Sequence, residues 1–556
     1  MNPSKNILVF LLSLAAVMPI AYSKNVVKCD PKHSDTPDKI NACITKEKII
    51  QHMTDFQAIS DNNPDPTFAF FPGAPHGSRD PGTPGDIASK DYLAQKMREA
   101  GYNVTVQSYP VAYGADAIVP VLQQLASPII NFTAGKDFAT ASPSPSGDVT
   151  AFVQPVGALI LDTPSSSGCA IADFQSPNPS VAGKIALMER GGCPNITKVT
   201  NAAAAGAVGA ITVNYADQLI GNSLVNNDGD TFSVPGFPVF SYLPFHMAPL
   251  LTSQPIKVHM KSQTVYETRT TYNIIADSRW GDPNNVLILV AHYDSIFGAG
   301  MNDNASGSVG IMETALAMKD TQTHNKVRFI WSGGEELGVL GTQYYIGNLS
   351  DAEIAKIAFV LDADVIATTN FVAEIYDLSK HPDSGFTPEQ VATSMKATKL
   401  FNQFFASANI PTNDSSREGT DISFCGTDGC WFASLLGVPF GGMVFTGQDS
   451  IGGGKTAADV NLYQNTYLRF LMENPNTKSI NVVGPYETCI DTPYIFCDNL
   501  SNNINFEIML PSTQAYAAVA IQLANDRSLR GSGLNTKKGH GKPYGNRGHG
   551  RRKMAN

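Results

Sequence analysis

Nowhere in the 556 residues is there an apolar run of the ~18 residues that a bilayer-spanning helix needs. Cys-x-x-Cys pairs are also missing, so a thiolate zinc knuckle has no support. No Gly-x-Ser-x-Gly elbow occurs, which leaves a serine hydrolase without its nucleophile turn. Gly454-Lys455-Thr456 imitates the end of a phosphate loop, but Asp449 stands where the required glycine should be. Base is scarce in the body of the chain. All 49 acids precede residue 527, whereas nine of the 39 Lys and Arg follow Asp526. An acidic body repels phosphates, which argues against a nucleic-acid partner.

What is present describes a folded protein, with 43% hydrophobic and 16% charged residues. At ~150 residues per domain, the length suggests three to four domains as a soft prior. The N-terminus reads as an export signal over residues 1–23. Lys5 supplies the positive region, Ile7–Ile20 is apolar apart from Ser13 and Pro19, and Ala21-Tyr22-Ser23 offers a cleavage site. The expected location is therefore extracellular. The eight cysteines fall into four close pairs: Cys29/Cys43, Cys169/Cys193, Cys425/Cys430 and Cys489/Cys497. Eight cysteines permit about 105 connectivities, so local pairing is only the simplest arrangement. Metal ligation by thiolates competes with it, and the export signal favours disulfides.

Along the chain, residues 36–60 have a helical pattern, and a second helix opens at Asp86 as N-cap and buries Ile87, Leu93 and Met97. Residues 103–111 alternate like a strand. Near Ala141 the composition turns to Ser, Pro and Gly, which marks a boundary. A block of short strands over 145–260 follows, with one Ala-rich helix. From Thr271 strands and helices alternate: Val286–Val290, Val327–Trp331, Ile357–Leu361 and Pro439–Phe445 as strands, Ser308–Met318 and Pro511–Asn525 as helices. This pattern predicts an α/β fold, a mainly parallel mixed sheet flanked by helices, with sites at the carboxyl ends of its strands.

Carboxylates and imidazole gather at those ends. His292 and Asp294 follow the first strand, Asp303 lies in a turn-rich loop entering a helix, Glu335 and Glu336 follow the second strand, and Asp362 and Asp364 close the third. So many acids on one sheet edge repel one another, and a cation is their natural partner. Imidazole with oxygen ligands suits Zn²⁺, and a shared carboxylate can bridge two ions. A lone acid at such a place is more often a helix cap or a solvated loop residue. The repetition at three strand ends favours the metal.

The segments His292-Tyr-Asp294-Ser, Gly300-Met-Asn-Asp303-Asn-Ala-Ser-Gly307 and Gly333-Gly-Glu335-Glu336-Leu-Gly resemble the secreted two-zinc aminopeptidases of the bacterial leucyl type. The likeness runs from His76-Gly-Ser-Arg-Asp-Pro-Gly to Cys497-Asp-Asn-Leu-Ser-Asn. It implies a zinc-exopeptidase-like fold, a two-zinc cofactor and peptide substrates with a free N-terminus. By position, His292 and Asp364 would hold one zinc, Glu336 the other, and Asp303 would bridge. Glu335 would be the general base toward the attacking water, and Asp294 would orient His292. Asp362 rivals Asp364, but Ala363-Asp364-Val365-Ile366 fits the family's strand-end pattern better. Residues 145–260 resemble a protease-associated domain, a small β-rich α+β module, through Gly168-Cys169, Gly183-Lys184, Arg190-Gly-Gly-Cys193 and Asn201-Ala. Cysteines pair in such domains, which agrees with Cys169/Cys193. The implied organisation is a peptidase domain from 44–144 and 261–526, the module at 145–260 between them, and a basic, disordered tail at 527–556.

The resemblance also exposes a gap. The family completes its second zinc site with a late histidine, three residues before a cysteine. Here Tyr494 stands three residues before Cys497, and no histidine occurs between His381 and His540. The family's Ser-Asp-His is altered to Thr427-Asp428-Gly429. Tyr494 is a candidate replacement ligand or oxyanion stabiliser, and Asp491 and Glu487 are candidate carboxylate ligands. The remaining alternative is a weak or empty second site. The leading expectation is a metallo-aminopeptidase. A degenerate peptidase fold that binds peptides without turnover, and another amide hydrolase or cyclase on the same fold, stand beside it.

Overall fold

The computed structural model describes residues 27–64, 77–125, 129–134, 137–141, 144–157, 165–175, 178–213, 232–243, 255–295, 298–368, 371–380, 386–414, 427–446, 498–501 and 504–530. The export signal, Tyr494, Asp491, Glu487, the Cys489/Cys497 pair and residues 531–556 lie outside these. In chain order come α1 (Pro37–Asn41), α2 (Lys46–Asn62), α3 (Pro84–Glu99) and β1 (Asn103–Asp116). Next are β2 (Val121–Gln124), β3 (Ile130–Phe132), β4 (Ala139–Thr140), β5 (Gly147–Pro155), β6 (Ile185–Glu189), α4 (Asn195–Ala204), β7 (Gly209–Val213), β8 (Val239–Leu243) and β9 (Lys257–Ser262). The chain continues through β10 (Thr264–Asp277), β11 (Asp282–His292), α5 (Gly307–Met318), β12 (Asn325–Ser332), α6 (Leu340–Gly347), α7 (Asp351–Ile354) and β13 (Ile357–Asp364). It closes with β14 (Val372–Ile375), α8 (Pro388–Ser407), β15 (Thr412–Asp414), α9 (Asp428–Leu436), β16 (Phe440–Thr446) and α10 (Phe506–Asn525).

One sheet has the order β1-β10-β12-β11-β13-β16-β14-β15. Its centre, β12-β11-β13-β16, is parallel, and β1, β10 and β14 pair antiparallel. The sheet is mixed, as the sequence implied. Val286–Val290 shows no alternation because both of its faces are covered. Leu287 and Leu289 join the core built with α2, α3, α5 and α10. Ile288 and Val290 join a second core with Tyr345 of α6 and Phe432 of α9. From β11 the chain passes through α5 to β12 on one side, then through α6 and α7 to β13 on the other. Connections that depart in opposite directions leave a crevice at the carboxyl ends of β11 and β13.

The second sheet has the order β3-β2-β9-β5-β6-β7-β8-β4. It includes residues 121–140, so the boundary expected at 145 cuts through this sheet rather than preceding it. The short strands β2 and β4 find their partners far along the chain, in β9 and β8, where no local pattern announces them. The two sheets are joined by an antiparallel ribbon, β1 with β10, running from Asn103↔Asp277 to Asp116↔Thr264. Cys29–Cys43 and Cys169–Cys193 are disulfide-bonded, and Cys430 is also in a disulfide. Among the described residues no helix is long and apolar enough to cross a membrane.

Three local expectations shift. The Thr83 hydroxyl, not Asp86, caps α3, with Pro84 in its first turn. Ile87 is 40% exposed, whereas Leu93 and Met97 are buried as expected. Helix α10 begins at Phe506 under an Asn505 cap and contains Pro511 in its second turn, where the missing N–H costs the helix one i→i−4 hydrogen bond.

Asp86 instead turns its fully buried carboxylate inward. It accepts the Gly82 N–H at 2.8 Å and the Thr271 hydroxyl at 3.2 Å. Burial pushes this carboxyl up to about 7, with Asp294 adding to the rise and the donors opposing it. The folded state therefore holds the proton more tightly than the unfolded chain, whose aspartate titrates near ~3.9. Stability from this group is expected to fall as pH climbs from about 4 to about 7. Urea unfolding across that window checks this, and Asp86→Asn should flatten the decline. The core gives a second test. Leu289→Ala should cost about 2–5 kcal/mol in denaturant unfolding, whereas Val265→Ala, at a residue 45% exposed, should leave the midpoint nearly unchanged.

Candidate metal centre

His292 is the last residue of β11, and Asp364 the last of β13, so the crevice between those strands receives both side chains. Asp303 arrives from the segment Met301–Ser306 that leads into α5. The sequence of that segment explains how it is held. Asn302 donates to the Thr368 hydroxyl at 3.0 Å and accepts the Ala367 N–H at 3.2 Å. Asn304 donates to the Ala363 carbonyl at 2.9 Å and accepts the Val365 N–H at 3.2 Å. The Ser306 hydroxyl accepts the Ile366 N–H at 3.0 Å. Every second side chain thus ties the segment to the stretch after β13.

Three ligand atoms meet, one each from His292, Asp303 and Asp364, all within 4.8 Å of one another. His292 Nε2 lies 3.1 Å from Asp303 Oδ1 and 3.4 Å from Asp364 Oδ1. Both His292 nitrogens are nevertheless buried without a hydrogen bond. Ligands at ~2.0–2.2 Å around a tetrahedral ion stand roughly 3.4 Å apart, close to the two distances from His292. The donor set therefore fits Zn²⁺. Burial opposes charging of His292, but Glu335, Asp294, Asp303 and Asp364 outweigh it and hold the imidazole well above its usual range.

Glu335 Oε2 approaches His292 Nε2 to 3.9 Å. Burial raises the Glu335 carboxyl well above the ordinary range, with His292 pulling against it and Asp364, Asp428 and Asp294 reinforcing it. Asp294 sits 3.6 Å from His292 Nδ1, too far for a hydrogen bond. Its two oxygens instead accept the backbone N–H of Glu335 at 3.2 Å and of Glu336 at 3.3 Å, so it positions the turn that carries both acids. Glu336 is not part of the three-residue cluster; its charge acts on Arg79. Asp362 is not part of the three-residue cluster and accepts the Gly429 N–H at 2.9 Å. Tyr494, Asp491 and Glu487 are outside the described residues.

Three residues at the site went unassigned in the sequence. Arg79 is fully buried, and its guanidinium donates to the carbonyls of Ala299 at 2.7 Å, Gly300 at 2.6 Å and Tyr293. Burial pushes it down to about 10, while Asp294, Asp498, Asp80 and Glu336 support its charge. The Asp498 carboxylate accepts the N–H groups of Asn302 at 2.8 Å and Asp303 at 2.9 Å, which anchors the Asp303 segment from the far end of the chain. Asp428 accepts the hydroxyls of Ser332 at 2.7 Å and Thr342 at 2.5 Å. Burial pushes it up to about 6, with His292 opposing. The only signal for Arg79 and Asp498 was their place inside the first and last resembling motifs.

Comparison with known proteins agrees with this layout. Residues 273–450 match Peptidase family M28, and residues 151–242 match the PA domain. An aminopeptidase of Pseudomonas aeruginosa is 34% identical over 420 residues, 75% of this chain and 73% of that protein. A probable leucine aminopeptidase 2 of Trichophyton verrucosum is 30% identical over 461 residues, 82% of this chain and 83% of its own. Among solved structures, an aminopeptidase from Aneurinibacillus sp. strain AM-1 shares the fold with a TM-score of 0.61 at 21% identity, over 90% of this chain and 98% of that one. With the strand-end cluster in place and a relative this similar along most of its length, the chain belongs to peptidase family M28 and carries an inserted PA domain.

Proposed function

We propose that this chain is a secreted metallo-aminopeptidase that removes N-terminal residues from peptides. The observation that carries the reading is the convergence of His292, Asp303 and Asp364 beside Glu335 in an M28 chain. The aminopeptidase names of the relatives support the substrate class. The signal-like residues 1–23 and the disulfides support export. The peptidase domain, expected over residues 44–144 and 261–526, is read with its inner edges drawn back to Asp116 and Thr264, because strands from residue 121 onward belong to the second sheet.

His292, Asp303 and Asp364 would hold one zinc, and Asp303 with Glu336 a second, completed by Tyr494, Asp491 or Glu487. When bound, zinc supplies Lewis acidity toward the scissile carbonyl and lowers the pKa of water. Glu335 takes the proton of the attacking water and returns it to the leaving amine, a task suited to a carboxyl whose pKa burial has raised. Asp294 keeps that carboxylate in place through its backbone. The lack of any histidine between His381 and His540 favours a second reading, peptide binding without turnover.

Aminoacyl arylamides separate the two. Release of the arylamine is expected, with loss on chelation and a fall of about 10²–10⁴ in kcat for Glu335→Gln. Turnover that survives both treatments would count against the assignment. The metal content should be unequal: one ion held tightly and lost with His292→Ala, the other removed by dialysis. Activity should rise when zinc or cobalt is added back. Among Asp491→Ala, Glu487→Ala and Tyr494→Phe, the variant that no longer responds identifies the substitute ligand. Two ions held tightly through all three substitutions would show that the ligand lies elsewhere.

A further inference from the structure

The turn Gly333-Gly334-Glu335-Glu336 is held on one side by Asp294. Its other side rests on the β1–β10 ribbon. Strand β10 pairs with β12 only over Ile274–Asp277, so Thr264–Asn273 project past the end of β12 with β1 as their sole strand partner among the described residues. One face of this projecting ribbon meets the turn. The Tyr109 hydroxyl donates to the Gly333 carbonyl. Asn273 Oδ1 accepts the Gly333 N–H at 3.3 Å, and its Nδ2 donates to the Gly341 carbonyl at 2.9 Å and to Gln107 at 2.9 Å.

The packing is close enough to require glycine. A Cβ on Gly333 would fall 2.6 Å from both the Thr271 hydroxyl and the Tyr272 carbonyl. Gly334 has a φ of +68° and lies against the Tyr109 hydroxyl. The Tyr109 ring stacks on Tyr344 of α6 at 4.7 Å, which fixes it from the other side.

The outer end of the same ribbon is fastened to the inserted domain. Thr264 donates its hydroxyl to the Ser144 carbonyl at 2.6 Å and its N–H to the Ser146 hydroxyl at 2.9 Å. The Ala117 N–H reaches the Gln263 carbonyl at 2.6 Å. A rise of about 3.4 Å per residue places Tyr109 roughly 24 Å from Asp116, so the ribbon spans the distance from module to turn.

We propose that Tyr109 and Asn273, on the β1–β10 ribbon, are positioning residues for Glu335. Neither residue is among the ligand cluster; both act through the Gly333 peptide. The proposal rests on the peptidase reading. It predicts an effect on kcat rather than on KM, because displacement of a reacting group by fractions of an ångström weakens the reaction more than it weakens binding.

The test uses the full chain with Tyr109→Phe, which removes one hydroxyl and keeps the stack, and Tyr344→Phe as control. Tyr109→Phe is expected to lower kcat about tenfold with KM within about twofold, which corresponds to the loss of one well-placed contact. Amide hydrogen exchange over 333–341 should quicken, while metal content stays that of the parent chain. Tyr344→Phe should match the parent in all three. An active parent whose Tyr109→Phe variant keeps its kcat and its exchange pattern overturns the positioning role and leaves the peptidase reading standing. A kcat loss matched by an equal loss of metal or a general rise in exchange also overturns it, as a folding effect. A parent without turnover removes the peptidase reading itself, and this role with it.

Discussion

Buried negative charge is the constraint around which the centre of this molecule is organised. Asp294, Asp303, Asp362, Asp364 and Asp428 are all less than one-tenth exposed, and they crowd the carboxyl ends of β11 and β13. In a medium of low dielectric such a group cannot remain ionised without compensation. The chain answers in three ways. Hydroxyls and N–H groups satisfy Asp428, Asp362 and Asp294. Arg79 brings one permanent cation into the same volume. The remaining oxygens of Asp303 and Asp364 turn toward His292 at ligand spacing. Much of the local architecture, from the Asn-rich segment before α5 to the reach of Asp498, fixes where each charge is allowed to stand.

The same constraint explains which features the sequence disclosed. An apolar run ending in His292, or in Asp364, is legible because strand and acid adjoin in the chain. The gathering of acids and imidazole at the sheet edge was legible in this way, whereas the grouping of His292 and Asp364 on one ion with Asp303 as bridge, and the preference for Asp364 over Asp362, came from the resemblance to the aminopeptidase motifs. The contributions of Arg79 and Asp498 were not legible, because each works on backbone groups hundreds of residues away, and a backbone carbonyl has no sequence signature. Asp294 was expected to orient His292 and lies 3.6 Å from its Nδ1; its further ties to the N–H groups of Glu335 and Glu336 have no signature in any motif.

Element boundaries are less legible for a related reason. Thr83 and Asp86 are both cap-forming residues three apart, and composition alone does not choose between them. The strands Val121–Gln124, Ile130–Phe132 and Ala139–Thr140 are too short to show a period, so the Ser- and Pro-rich stretch after Ala141 looked like the start of the module. The first and last of them find partners about a hundred residues or more downstream, and Ile130–Phe132 pairs with Val121–Gln124. The longer alternation of strands and helices after Thr271 survived because each element carries its own apolar face or faces.

The paired strands β1 and β10 bring the two crossings between sheets into register, with Asp116 opposite Thr264. The inserted module therefore enters and leaves through neighbouring residues, much as an appliance meets a two-pin socket. A two-residue hairpin turn such as Asn-Gly closes antiparallel strands at that separation. The peptidase sheet thus needs nothing from residues 117–263 to complete its own strand order. That geometry makes the site between Asp116 and Thr264 a natural point of exchange, where modules of different size can be accepted or lost while the register of the host sheet is preserved.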